Sequence, residues 1–205
     1  MHQTRKEISR QLPLQKKGTK YIARATANIK NSVPVVIAVR DMLKLAKTSA
    51  EVKSMIHKKQ LKLNGKLVHD IHQSIQLFNI FDADQSYILT LLPTKKFSFE
   101  ATSSKDRLCK IVSRRLVSNG KLQLNLHEGS NILGKDNLNI GDSLYLDFSN
   151  KIKSHKSLAK GVPVFISSGK YTGITGTVVS HDSHSVTIKI SKGEVVLPVE
   201  NVFVQ

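Results

Sequence analysis

The 205-residue sequence predicts an α+β chain built from small domains, and three observations predict it. Two amphipathic helical stretches lie before residue 60. An Asn-Gly pair sits between apolar runs at 64–65 and again at 119–120. Short apolar runs bounded by turn residues recur from residue 61 onward. The predicted organisation is a basic N-terminal tail over 1–31, a helix–helix–hairpin unit with trailing strands over 32–93, a central small β domain over 94–157 and a small β-barrel over 158–205.

The first helix is expected to start at Ser32, a suitable N-cap, with Pro34 in the first turn, where its missing N–H costs little. Val36, Val39, Leu43 and Ala46 recur at helical spacing and share one face. The second helix opens with Thr48-Ser49-Ala50-Glu51, a capping box in which Thr48 accepts from the Glu51 N–H and the Glu51 carboxylate reaches back. Val52, Met55 and Ile56 form its apolar stripe, with Lys53, His57 and Lys58 off it. Asn64-Gly65 then predicts a two-residue hairpin turn, because both residues tolerate the positive φ that a type I′ turn requires. Leu61, Leu63, Leu67 and Val68 flank it.

Ahead of this unit, Arg5, Lys6, Arg10, Lys16, Lys17, Lys20, Arg24 and Lys30 stand against a single acid, Glu7. Apolar residues are sparse there, so the segment is expected to stay unfolded until it orders on a polyanion. A solvated terminus with no partner is the plainer alternative.

After the hairpin, Ile75, Leu77, Ile80 and the run Tyr87 to Leu92 read as short strands, with Asp82-Ala83-Asp84 as a turn and Pro93 to Lys96 as a boundary. Leu108 to Val112, Leu122 to Leu126 and Ser143 to Phe148 are candidate strands of the central domain. Asn119-Gly120 is a second hairpin signal and Gly141-Asp142 a further turn. Arg107, Lys110, Arg114 and Arg115 form a second basic cluster, which fits a solvated strand face as well as it fits a polyanion contact. In the last unit, Val162 to Ile166, Ser185 to Ile190, Val195 to Leu197 and Val202 to Val204 read as strands. Gly169, Gly173 and Gly176 precede Thr177-Val178-Val179, where a tight loop must turn back into a strand and a Cβ would clash.

Charge narrows the partner. The chain carries 32 Lys and Arg against 15 Asp and Glu, a net +17. Residues 1–66 hold 16 basic and 3 acidic residues, so most of the excess sits in the first third. Such a field attracts a polyanion, and nucleic acid fits better than a membrane surface. The chain has no Trp, no Phe precedes Phe78, and Val33 to Val39 is far too short to span a bilayer. Residues 1–31 contain no signal-peptide core. One cysteine, Cys109, excludes an intrachain disulfide and fits a reducing cytoplasm.

The two helices and the Leu63-Asn64-Gly65-Lys66-Leu67-Val68 hairpin resemble the alpha-L RNA-binding module of ribosomal proteins, pseudouridine synthases and tyrosyl-tRNA synthetases. The run Gly169 to Val178 resembles a KOW motif, an SH3-like barrel of ribosomal proteins and transcription elongation factors. The joint order resembles the e-type small-subunit ribosomal protein four family of archaea and eukaryotes. Ser32 to Asp41, Asn64-Gly65-Lys66 with Asp70, Leu108-Cys109-Lys110-Ile111, the KOW glycines and Asn201-Val202-Phe203-Val204 are each similar to that family's motifs. The likeness covers residues 32–205. It implies a non-catalytic, cytoplasmic protein of the small ribosomal subunit. Its implied partners are small-subunit ribosomal RNA and neighbouring ribosomal proteins, with no membrane, cofactor or small-molecule substrate.

On this reading, Arg40, Lys44, Lys53, Lys58, Lys59, Lys62 and Lys66 pair phosphates from the helix faces and hairpin. Arg5, Lys6, Arg10, Lys16, Lys17, Lys20 and Arg24 do so from the tail. The rival from another class is an RNA-modifying enzyme using the same module for targeting, but residues 97–205 divide into two small β units with no room for a catalytic domain. A KOW-bearing elongation factor that binds RNA polymerase is the third reading.

No catalytic constellation competes. Gly129 to Asp136 nearly matches the phosphate-binding loop, but Asp136 stands where a hydroxyl is needed and no helix is expected to follow. His181, Asp182 and His184, and His69, Asp70 and His72, read as surface groups in the absence of further ligands. Cys109 alternates into strand packing. Arg40-Asp41 reads as a local ion pair.

Overall fold

A computed structural model of the chain describes residues 1–117, 121–134, 138–182, 184–191 and 193–205. The described residues are mostly β with a few short helices, and the chain divides into two compact units, 1–105 and 106–205.

The first unit opens with strands β1 (His2–Thr4) and β2 (Tyr21–Ala23), paired antiparallel. This overturns the expectation of an unfolded tail. Leu12, Ile22 and Ala25 are buried. The order comes from distant residues: the Lys96 ammonium donates to the carbonyls of Arg10 and Leu12, and the Phe97 N–H donates to the Gln11 carbonyl. A segment too polar to fold alone is thus pinned by main-chain capture.

Residues 32–34 correct a second expectation. They form strand β3 (Ser32–Pro34), paired with β6 (Ser74–Gln76) in the register Ser32 to Gln76 and Pro34 to Ser74. Pro34 disfavours the helical region for Val33, which leaves it free to pair. Ser32 does not cap; its hydroxyl donates to the Ala27 carbonyl. Helix α1 (Val35–Ile37) starts after Pro34, and its first N–H groups donate to Gln73 and Ile71 carbonyls at 3.0 and 2.9 Å. A loop 35 residues away therefore satisfies the orphan donors that a side-chain cap would otherwise meet. The helix widens at once into a π-turn, Ala38–Met42, with the Leu43 N–H reaching the Ala38 carbonyl.

Helix α2 (Ser49–His57) begins at Thr48 as the sequence predicts: Thr48 Oγ1 accepts from the Glu51 N–H at 3.2 Å. The Glu51 carboxylate reaches back to the Lys47 N–H at 2.7 Å, and that bond holds its pKa below the ordinary carboxylate value. Strands β4 (Lys62–Leu63) and β5 (Lys66–Leu67) close around Asn64 (φ 50) and Gly65 (φ 77), the left-handed pair of a type I′ turn. With β7 (Ile80–Asp82), β8 (Ser86–Leu91) and β9 (Phe97–Ala101) they form a sheet ordered β5-β4-β7-β8-β9. Strand β9 therefore joins the first unit's sheet, beyond the break expected near residue 93. Val33, Val36, Ile37, Val39, Val52, Leu61, Ile75, Ile80, Phe81 and Leu89 are almost fully buried and make the core.

The second unit holds two antiparallel sheets. The first, ordered β12-β11-β10-β13-β14, comprises β10 (Arg107–Val117), β11 (Lys121–Leu126), β12 (Asn131–Gly134), β13 (Ser143–Leu146) and β14 (Ile152–Lys156). Residues 129–134 run into a strand, out of keeping with a phosphate-binding loop. Asn119-Gly120, Lys135 and Asp136 lie outside the described residues. Cys109, Ile111, Leu124, Leu144 and Leu146 centre this sheet's core. Burial pushes the Cys109 thiol pKa up, well out of the reactive range.

The second sheet, ordered β18-β17-β16-β15-β19, comprises β15 (Pro163–Ile166), β16 (Thr175–His181), β17 (Ser185–Ile190), β18 (Gly193–Pro198) and β19 (Val202–Val204). A 3₁₀ turn, Val199–Asn201, precedes β19. Gly169 and Gly173 occupy φ of +93° and +80° between β15 and β16. Gly176 answers a different need: a Cβ there would lie 2.7 Å from the Lys189 carbonyl and 2.5 Å from Ile188 Cγ2. The Ser143 hydroxyl accepts from the Val204 N–H at 3.0 Å, joining the two sheets.

Candidate nucleic-acid interface

The two helices of the first unit end alike. Lys44 follows the π-turn at φ +58°, and Lys59 follows α2 at φ +57°. At Lys59 the Gln60 N–H reaches the Met55 carbonyl and the Lys59 N–H reaches Ile56, a Schellman arrangement whose left-handed position glycine usually fills. Both lysines are exposed. Lys53 and Lys58 are exposed on α2, and Lys62 and Lys66 flank the hairpin turn, also exposed. The helix ends and hairpin thus carry six solvated ammonium groups from one short stretch of chain.

Arg40 differs from these. Its Nε and Nη2 donate to the two Asp41 carboxylate oxygens at 2.9 and 2.8 Å, and those bonds raise the guanidinium pKa further. Half-buried, it is a positioned ion pair with Nη1 3.5 Å from Ser49 Oγ.

In the N-terminal segment, Lys6, Arg10, Lys16, Lys17, Lys20 and Arg24 are exposed. Arg5 is half-buried and donates to the carbonyls of Thr19 and Gln15. It closes the 5–20 loop, a structural duty its charge alone did not announce. The Lys20 ammonium lies 5.3 Å from the centre of the Tyr21 ring.

The second basic cluster splits. Arg114 and Arg115 are exposed, whereas Arg107 and Lys110 are buried. Arg107 pairs with Glu128 at 2.9 Å and donates to Asn150. Lys110 Nζ donates to the Val199 carbonyl at 2.5 Å and lies 5.4 Å from the Phe203 ring centre. Burial pushes its pKa down to about 8, against the opposing pull of Glu200. The two buried cations belong to the interior, so neither a solvated face nor a shared contact surface describes all four.

Among the described residues, no three His, Cys, Asp or Glu side chains gather as a metal would require. No helix among them is long and apolar enough to cross a membrane.

Comparison with known proteins gives consistent matches. The family described as Ribosomal family S4e matches residues 83–153, from the end of the first unit into the first sheet of the second. The small ribosomal subunit protein eS4 of Methanocella arvoryzae is 28% identical over 185 residues, covering 86% of this chain and 79% of that protein. That of Halobacterium salinarum is 28% identical over 205 residues, covering 92% and 87%. The chain is thus similar to the ribosomal S4e family over that central segment and to eS4 proteins over most of its length. The crystal structure of the 30S ribosomal protein S4e from Thermoplasma acidophilum shares the S4e fold with a TM-score of 0.72 at 20% identity, covering 85% of this chain and 94% of that one. The S4e match takes in Arg107, Lys110 and Glu128, so both buried cations fall within the matched segment.

Proposed function

We infer that this chain is a structural constituent of the small ribosomal subunit that binds ribosomal RNA through phosphate contacts. Its relatives carry the name small ribosomal subunit protein eS4. In this reading the first unit from Ser32 is an alpha-L module, the second sheet of the second unit is a KOW barrel, and the fourteen lysines and arginines assigned above to phosphate pairing do that work. Ribosomal RNA and neighbouring ribosomal proteins are the partners, the ribosome in the cytoplasm is the location, and no reaction is catalysed.

One observation carries the assignment of the surface. Lys44 and Lys59 each hold a left-handed conformation that costs a side-chain-bearing residue about 1 kcal/mol and costs glycine nothing comparable. Both positions follow a helix of the unit that also holds the hairpin, and both side chains are exposed to solvent. These two exposed cations add to those of α2 and the hairpin, and polyphosphate is what a surface of such cations takes.

Sedimentation of a cell lysate through a high-salt sucrose gradient tests the reading. Co-migration with the small subunit is the expected result. Release to the top of the gradient in mild salt overturns it and points to a transient factor.

A further inference from the structure

We propose that the cleft between the N-terminal strand pair and the first helix takes one unpaired nucleotide of RNA, with its base against Tyr21 and its phosphate beside Arg5. The proposal rests on the RNA-binding reading and adds the form of RNA that this part of the surface selects.

The cleft measures about 690 Å³ and is lined by residues of the first unit alone. That volume falls in the range of sites for small molecules, so it admits a nucleotide and excludes a duplex. Its charge is one-sided. Arg5, Lys17 and Arg40 line it, against one carboxylate, Asp41. Both oxygens of Asp41 are committed to Arg40. Arg5 is held by neutral acceptors, the carbonyls of Thr19 and Gln15 and the Thr19 hydroxyl, so it is fixed in place with its charge uncompensated. A fixed cation that loses no rotamer freedom on binding is suited to a phosphate.

The aromatic lining sets the rest of the ligand. Tyr21 is 51% exposed although it sits in a strand. The His2 ring meets it edge-on, with centroids 4.8 Å apart and planes at 69°, which makes a corner of two rings. Buried Ile22 and Val36 supply apolar wall behind it. An anion needs no ring and an apolar ligand needs no arginine. A flat base joined to a phosphate uses both, and base–aromatic stacking is the usual means by which proteins hold unstacked RNA bases. Lys20, now over the Tyr21 ring, is free to turn to the flanking phosphate once a base takes the ring face.

The test compares two RNA hairpins, one fully paired and one with a single bulged 2-aminopurine, binding to the full chain. The bulged RNA is expected to bind about tenfold more tightly. Tyr21→Ala abolishes that preference and Tyr21→Phe retains it. The 2-aminopurine fluorescence changes on binding to the Phe variant and stays unchanged with the Ala variant. Unaltered thermal melting of Tyr21→Ala shows that folding is not the cause. Equal affinity for both hairpins, or an equal loss on both in Tyr21→Ala, overturns the nucleotide cleft and leaves RNA binding standing. No binding of either hairpin overturns the RNA reading itself. Adenosine monophosphate bound more tightly than the bulged RNA assigns the cleft to a soluble nucleotide and also overturns the proposal.

Discussion

The Lys110 ammonium donates to the Val199 carbonyl, carrying a positive charge from the first sheet of the second unit to the turn that leads into its last strand. Burial holds the folded-state pKa at about 8, below the 10.5 of a solvated lysine. Between those values the unfolded chain binds more protons than the folded one, so this group makes stability rise with pH. Burial of Cys109 acts in the opposite direction at alkaline pH, so the contribution of Lys110 is read as a difference. The stability of the natural chain relative to Lys110→Met is expected to improve by up to about 3 kcal/mol between pH 7.5 and pH 10.5. Urea unfolding at several pH values measures it, and a pH-independent gap contradicts the assignment.

Gly169, in the loop before β16, and Gly176, within that strand, separate two uses of glycine. At Gly169 nothing lies within 4 Å of a built Cβ, and only the positive φ is at stake. At Gly176 the Lys189 backbone carbonyl and the packed Ile188 stand in the way. Gly169→Ala is expected to cost about 1 kcal/mol. Gly176→Ala is expected to cost about 3 kcal/mol, because a strand has to shift. Thermal denaturation that ranks them in the reverse order refutes the steric account.

Lys59→Gly should separate stability from binding. The left-handed position becomes unstrained, so the first unit gains about 1 kcal/mol, while one phosphate contact is lost. Calorimetry and RNA titration on the same variant check both signs. A stabilised variant with unchanged affinity removes Lys59 from the interface.

If eight of the assigned cations meet phosphate, the logarithm of the RNA association constant falls against the logarithm of salt concentration with a slope of about −6. Fluorescence anisotropy between low and moderate salt gives this slope. A slope near zero is incompatible with a phosphate-borne interface.

Local signals read correctly wherever the partners were close in sequence. Thr48 and Glu51 are three residues apart, and the cap forms as expected. Asn64-Gly65 specifies its own turn. Distant partners defeated the same logic. Ser32 has the chemistry of a cap, but Gln76 pairs with it across 44 residues and draws it into a strand. The first 31 residues look unfolded because what orders them, Lys96 and Phe97, lies some 85 positions on. The basic cluster at 107–115 divides for a related reason: Arg107 and Lys110 find a carboxylate and a carbonyl that only the folded sheets supply. The Tyr21 cleft had no signal at all, because its walls come from three separate stretches of chain.

The pairing of β15 with β19 also has a consequence in time. Val164 waits for Val204 before its outer hydrogen bonds and the Ser143 contact exist. During synthesis the first unit is complete at residue 105, whereas the second needs its final strand. At about 5–20 residues per second, the gap is on the order of 5–20 s. For that interval the half of a nascent chain that carries the proposed RNA surface has all its strands while the other half still awaits closure, so on the proposed reading assembly onto RNA can begin before translation of the chain has ended.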